Sequence, residues 1–281
     1  MKRWNGWGNA NTDYPVPPAA LEYLTKRLGP LDPTPDAAKQ TLLAAVGESR
    51  LPAHRRVDAS AETRLRHARG QSTPDWVDMR YGRADTFPDG VAFPETDEDV
   101  RDLLTYARNA GAHVIPYGGG TSVVGHITPL QTDAPVLTLS LERMRRLLDL
   151  DETSHLATFQ AGVAGPELEE QLKARGYTLG HFPQSFEYST LGGWIATRSS
   201  GQQSYHYGRI EGLFAGAQLE TPRGRLEIKP VPASAAGPDV REMLLGSEGR
   251  LGVITQAKVR VRRVPEAEGF FGVFFPSWEQ G

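Results

Sequence analysis

The stretch VIPYGGGTSVVGH, residues 114–126, decides how the rest of the chain is read. Three consecutive glycines follow a short apolar run, and Thr121 and Ser122 follow them. A glycine triplet costs backbone entropy, so something comes close to this backbone or bends it into shapes that other residues refuse. Successive N–H groups in such a turn converge on an anion, and the two hydroxyls add donors. A Walker loop needs lysine and a hydroxyl residue after its second glycine. Gly120 and Gly125 have the spacing, but His126 and Ile127 follow. A Rossmann fingerprint fails because Gly118-x-Gly120-x-x runs on to Val123. Two readings remain, a loop holding a diphosphate through amides and neutral hydroxyls, or a tight structural turn.

Outward from the glycines the elements are regular. PETDEDVRDLLTYARNAG (94–111) predicts a helix, with Thr96 as N-cap, an acidic first turn, apolar Val100, Leu103, Leu104 and Ala107 on one face, and Gly111 as stop. A strand before it and AHVIPY (112–117) after it make a strand, helix, strand unit that delivers the glycine loop. PVLTLSL (135–141) and HLATFQAGV (155–163) read as further strands. Pro166 opens the helix that follows and Gly176 closes it. LFAGAQLETPRGRLEI (213–228) reads as a hairpin turning at Pro222-Arg223-Gly224, and PDVREMLLG (238–246) as a short helix. In LGVITQAKVRVRRV (251–264) Val253, Thr255, Ala257, Val259 and Val261 alternate onto one side. FFGVFFPSWEQG (270–281) reads as an apolar strand and the opening of another element, as in a domain cut short.

Residues 1–85 mix short helical patterns with proline-rich joints such as PVPPAALEYLTKRLGPLDPTP, and read as an irregular arm in which Trp4 and Trp7 bury their rings as anchors, with ligand stacking the lesser alternative. Of 281 residues, 31 are Lys or Arg and 34 Asp or Glu, a net charge of -3 that argues against a nucleic-acid partner. With no cysteine there is no disulfide, no thiolate metal site, no thiol nucleophile and no attachment of a cofactor through sulfur. No apolar run reaches the roughly 20 residues of a membrane span, and the start lacks the apolar core of a signal peptide, so the expectation is a soluble, cytoplasmic protein.

Two further clusters of small residues, STLGGWIATRSSG (189–201) and GSEGRLGVI (246–254), read as loops that line one long cleft with the first. Three such loops imply a large, flat, anionic ligand lying against backbone. Together PYGGGTS, GHFPQSFEYSTLGGWIATRSSG, ETPRG and LLGSEGRLGVITQAKVRVR, in this order, resemble the FAD-binding domain of the vanillyl-alcohol-oxidase-type flavoproteins, and within them the alkyldihydroxyacetone-phosphate synthases of ether-lipid synthesis. WNGWG and FPSWEQG are similar to the same group, so the resemblance covers most of the chain.

The resemblance implies an α+β fold: a PCMH-type FAD-binding domain over 86–264, with subdomains at about 86–139 and 140–264, behind the arm 1–85. Residues 265–281 would begin a truncated substrate or cap domain. It implies that Pro116, Tyr117, Gly118, Gly119, Gly120, Thr121 and Ser122 wrap the FAD diphosphate. Pro183, Gln184, Ser185, Phe186, Glu187, Tyr188 and Ser189 would form a second FAD loop, continued by Ala196, Thr197, Arg198 and Ser199. Glu248, Gly249, Arg250, Leu251, Gly252, Val253 and Ile254 would close over the adenine end. Gln184 stands where the family usually has an acid. With cysteine absent and no attachment motif at His126, the FAD is expected to be non-covalent.

Other reactive residues are read more plainly. His126, His181 and His206 lie near these loops without a carboxylate at motif spacing, and read as hydrogen-bonded structural groups. No metal site is expected. Arg198 divides between a cofactor contact and a surface ion pair. Arg55, Arg56, Arg64, Arg66 and Arg69 read as a solvated face, with phosphate binding the lesser alternative.

By resemblance the chemistry is the exchange, at the flavin N5, of the acyl group of acyl-dihydroxyacetone phosphate for a fatty alcohol. The catalytic residues would come from a second domain, which carries any peripheral membrane contact, and a homodimer is possible. The alternatives are an FAD-dependent oxidoreductase of 2-hydroxy acids and a non-catalytic flavin-binding module.

Overall fold

The computed structural model describes residues 2–30, 35–232 and 235–281. Its strands are β1 (Val57–Asp58), β2 (Gly90–Ala92), β3 (His113–Tyr117), β4 (Val136–Ser140), β5 (Leu147–Asp151), β6 (Leu156–Gln160), β7 (Tyr177–Thr178), β8 (Phe214–Thr221), β9 (Gly224–Ile228), β10 (Val253–Arg260) and β11 (Arg262–Arg263). Helices are interspersed, and the architecture is α+β. One sheet has the order β1-β2-β4-β3, the second β5-β6-β10-β8-β9, and β11 pairs with β7 apart from both. In the first, β2, β4 and β3 run parallel while β1 is antiparallel to β2. Neighbours in the second are all antiparallel.

The sequence pattern accounts for these elements. Helix Asp97–Asn109 carries the capping box of Thr96 and Asp99, each side chain bonded to the other's main-chain N–H. Val100, Leu103, Leu104 and Ala107 are all buried, so this helix is the layer between the two sheets. Along β10 the five alternating residues named above are buried in the same core. The β8–β9 hairpin pairs Thr221 with Gly224, leaving Pro222 and Arg223 as a two-residue turn.

Four expectations are corrected. The second glycine cluster is no loop: Thr190 caps a short helix, Leu191–Ala196, by accepting from the Gly193 N–H. Gly192 lies against Ala161, so that glycine serves close packing within a helix. No strand forms over 270–281; Phe270, Phe271, Phe274 and Trp278 are exposed, and no neighbouring edge supplies the ladder a strand requires. Arg64 and Arg69 are buried, against the expected solvated face. Arg64 donates to the carbonyls of Pro88 and Gly47 (both 2.6 Å), and Arg69 to that of Thr86 (2.7 Å). Finally, Trp4 packs on a small second core of Leu42, Leu65, Met79 and Ala84, but Trp7 stays 37% exposed.

A polar clasp fixes the helix to the second sheet. Gln218 and Gln256 of the second sheet both donate to Asp97. Glu220, fully buried on β8, accepts from Arg101 (3.1 and 3.2 Å) and from Arg225 (2.8 Å). Burial alone would raise the Glu220 carboxyl; the hydrogen bonds and charges of Arg101 and Arg225 prevail and hold it below the usual range. Its folded-state value being depressed, this carboxylate stabilises fully above about pH 4.3, the unfolded glutamate value, and the stabilisation is lost as pH falls through the lower folded value. We expect Glu220→Gln to cost about 1.5–3 kcal/mol at pH 7, read by urea denaturation. The variant's stability should also fall less steeply than the parent's below about pH 4.3.

Candidate functional site

Three segments meet where the sheets come together at the C-terminal end of β3. The loop 116–122 leaves β3, the turn 183–190 leads into helix Leu191–Ala196, and the turn 246–252 leads into β10. A Cβ on Gly119 would overlap the carbonyl oxygen of Tyr188, and one on Gly118 would overlap the Thr190 hydroxyl. Only glycine lets these two main chains touch. The third segment is tied to the second by hydrogen bonds from Glu248 N–H to Ala196 carbonyl (2.8 Å) and from Gly246 N–H to Ile195 carbonyl (3.1 Å). Gly249 also lies against the Pro116 ring. The three clusters therefore line one groove.

Two cavities open on either side of the glycine loop. The smaller, about 350 Å³, is bounded by Pro116 to Ser122, Ser185, Ser189, Ala196, Thr197, Ser199, Glu248, Gly249, Gly252 and Ile254 among the expected residues. The larger, about 580 Å³, shares Tyr117 to Thr121 with it, adds Glu187 and Tyr188, and is roofed by the arm. Pro183, Gln184, Phe186, Arg198, Arg250, Leu251 and Val253 border neither. Phe186 packs on Phe182 with centroids 5.1 Å apart, and Val253 faces the core. Gln184, Arg250 and Leu251 point to solvent. Arg198, in a left-handed conformation at φ 53°, makes an ion pair with Glu242.

The chemistry of the groove is that of an anion cradle. Among the described residues the amides of Gly118, Gly119, Gly120, Thr121 and Ser122 donate to no protein group, and the Thr121 hydroxyl is equally uncommitted. Buried or cavity-facing amides are ordinarily paired, so a row of open ones marks a place for a ligand's acceptors. The loop itself is held from behind, where the Ser122 carbonyl accepts from the Gln71 N–H (2.6 Å) and the Ser122 hydroxyl meets His126 Nδ1 (3.1 Å). A run of neutral donors suits the oxygens of a diphosphate.

The three histidines behave as structural groups in part. His126 orients Ser122, and His206 stacks edge-on with Tyr207 at 4.7 Å. His181 is buried, contacts Ser199 Oγ through Nε2 (2.7 Å) and stacks on Trp194 at 5.0 Å. Burial pushes its imidazole down to about 4, against the opposing field of Glu211, so it is neutral near pH 7.

Sequence reasoning missed the arm's share of the site. Lys2, Trp4, Trp7, His67 and Glu142 all border the larger cavity, and Lys2 Nζ donates to the Gly119 carbonyl (3.4 Å) across 117 residues of sequence. Thr190, Gly193 and Trp194 border the smaller one. The only available signal was WNGWG itself, whose paired tryptophans and glycines are unusual for a solvated leader.

With that geometry in hand, comparison with known proteins is informative. The sequence profile of a family described as an FAD binding domain matches residues 88–228. Alkyldihydroxyacetonephosphate synthase of Dictyostelium discoideum is 40% identical over 215 residues, 76% of this chain and 35% of that protein. A solved structure of alkyldihydroxyacetonephosphate synthase superposes with a TM-score of 0.82 at 32% identity, covering 95% of this chain and 55% of the other. Mitochondrial D-lactate dehydrogenase [cytochrome] 1 of Saccharomyces cerevisiae is 31% identical over 63% of this chain and 30% of its own length. The chain thus spans about a third of the curated relatives it matches and about half of the solved one.

His181 generates a test of the site's packing. Its folded value lies below the ordinary 6.5 or so, so stability is full above about pH 6.5 and falls as pH descends towards 4, by up to about 3 kcal/mol. His181→Gln should remove that loss in urea denaturation series at each pH, leaving the fall due to His67, whose imidazole burial also lowers, and to depressed carboxylates such as Glu220.

Proposed function

This chain belongs to the FAD binding domain family, and on that basis we propose that it is the FAD-binding portion of a flavoenzyme of the alkyldihydroxyacetonephosphate synthase type. The observation that carries the reading is the row of uncommitted amides from Gly118 to Ser122, of which those of Gly118 to Thr121 stand at the wall shared by both cavities. The FAD diphosphate lies on these amides, with the Thr121 hydroxyl as a further donor. Nothing in the groove offers a thiol, and His126 is occupied with Ser122, which supports a non-covalent cofactor.

When bound, FAD supplies the reactive ring at which the acyl group of acyl-dihydroxyacetone phosphate is exchanged for a fatty alcohol. The chain's own residues bind and orient. Gly118 and Gly119 let the second loop close on the first. The turn at 246–252 closes the far side, held by the Ala196 and Ile195 carbonyls. Burial, and secondarily the charge of Glu142, push the Tyr117 phenol up, so it stays protonated and presents a neutral surface beneath Gly120. Choice of the transferase over a 2-hydroxy-acid oxidoreductase is supported by extent. Sequence likeness to the Dictyostelium synthase covers 76% of the chain at 40% identity, while likeness to the lactate dehydrogenase covers 63% at 31%.

Two measurements test this. The purified chain should take up FAD, release it on denaturation, and keep its oxidised spectrum under anaerobic D-lactate or glycolate; bleaching by either acid would give the oxidoreductase reading the better claim. Gly119→Ala places a methyl group against the Tyr188 carbonyl, and should weaken FAD uptake by about tenfold or more in a flavin-fluorescence titration.

A further inference from the structure

A dinucleotide carries its diphosphate at mid-length, with a ring system on either side. The loop Tyr117–Thr121 stands in the same relation to the two cavities, as their common wall. A diphosphate on those amides therefore sends its two rings into opposite cavities. Among the residues that bound the smaller cavity, Gly193, Ala196, Gly249 and Gly252 carry little or no side chain, which suits close approach of a purine. The larger is bounded by polar and aromatic groups, among them Lys2, Trp7, His67, Glu142 and Tyr188.

We propose that the larger cavity is the isoalloxazine site, and that the strap formed by residues 2–9 is part of it, with Lys2 as the cation facing the ring. This rests on the FAD reading above and goes beyond it, because the strap lies outside the segment 88–228 that the family profile matches. The strap is a built element. Arg3 N–H donates to the Gly8 carbonyl (2.8 Å), Lys2 pairs with Asn9, and Arg3 Nη2 donates to the Thr12 carbonyl (2.6 Å). Arg66 Nη1 holds it to the body through the Lys2 carbonyl (3.0 Å).

It is also pinned to both cofactor loops. Lys2 Nζ bonds the Gly119 carbonyl of the first and lies 5.0 Å from the Tyr188 ring centroid of the second, while Trp7 meets Tyr188 edge-on at 4.9 Å. Among the described residues Lys2 forms no ion pair, and an ammonium carries three donors, of which Gly119 takes one. The two others bond no protein group among the described residues, and Lys2 borders the larger cavity. A cation there stabilises an electron-rich reduced ring more than the neutral oxidised one, so Lys2 raises the flavin's midpoint potential. Trp7 and Tyr188 supply apolar wall to a planar ring.

Titrations of the full chain with FAD, riboflavin and ADP separate the two ends of the cofactor. Trp7→Ala and Lys2→Gln should each weaken FAD and riboflavin by about tenfold and leave ADP unchanged. In the FAD-loaded protein Lys2→Gln should shift the midpoint potential negative, and Lys2→Arg should restore it. The proposal is overturned if the variants weaken ADP and spare riboflavin, which would put the purine under the strap, or if all three ligands and the potential are unaffected. Melting temperatures of the variants, measured alongside, detect any loss of fold in Trp7→Ala, and Lys2→Gln at the open cavity then decides alone. Failure of the unmodified chain to take up FAD is a separate outcome: it removes the cofactor reading itself and needs no variant to be seen.

Discussion

Main-chain contact between Gly119 and the Tyr188 carbonyl is the constraint on which the arrangement depends. Two sheets, each with its own hydrogen-bond ladder, come close enough for a groove only if side chains are absent where their loops cross. The same condition recurs at Gly162, where a Cβ would overlap the Leu141 carbonyl at the ends of β6 and β4. Each glycine costs about 0.5–1 kcal/mol of stability relative to alanine through chain entropy. That cost is met by core burial elsewhere, and what it secures is a seam in which backbone donors can face a ligand instead of each other.

The seam would slide without a fixed hinge on its other side. Helix Asp97–Asn109 provides one, buried on its apolar face against both sheets and joined on its first turn to Gln218, Gln256, Glu220 and Arg225. Buried ionic clusters add little net stability compared with apolar packing, because desolvation offsets the attraction. Their value here is geometric, since an unpaired Glu220 is far worse than a paired one and Arg101 reaches it only from this placement of the helix on the second sheet. Gly252 packs on the Glu220 carbonyl, so the hinge and the third cofactor turn are neighbours along the same strands.

How much of this was legible in the chain depended on whether local pattern or distant contact set the outcome. Helix Asp97–Asn109, strands β3, β4, β6 and β10 and the β8–β9 turn all follow from period, caps and punctuation, and the glycine loop marked a close main-chain approach because only glycine permits one. Helix Leu191–Ala196 was hidden because its glycines argue against helix by propensity, while their actual reason is contact with Ala161 and the neighbouring loop. The burial of Arg64 and Arg69 was hidden too. Carbonyls of Gly47, Thr86 and Pro88, which receive those guanidinium groups, lie in segments with no periodic signal. Lys2 and Trp7 are the extreme case, since nothing local to WNGWG points to Gly119 or Tyr188.

The absence of lysine in the glycine loop has a physical consequence for the kind of site this is. A Walker loop adds a fixed cation and a metal ligand to its amides, which suits a phosphate whose charge must be redistributed in a reaction. Here the amides and Thr121 are neutral, so on the proposed reading the diphosphate would be a handle, held by hydrogen-bond geometry and by burial of the rings on either side of it. The arm adds a cation through Lys2, beside the larger cavity that the carboxylates of Glu142 and Glu187 also border. The proposed reading assigns holding to the sheet seam and tuning to the strap. A substitution in the strap would then act on the ring's electronics without loosening the phosphate handle, whereas one at Gly119 would remove the handle whatever the ring would have done.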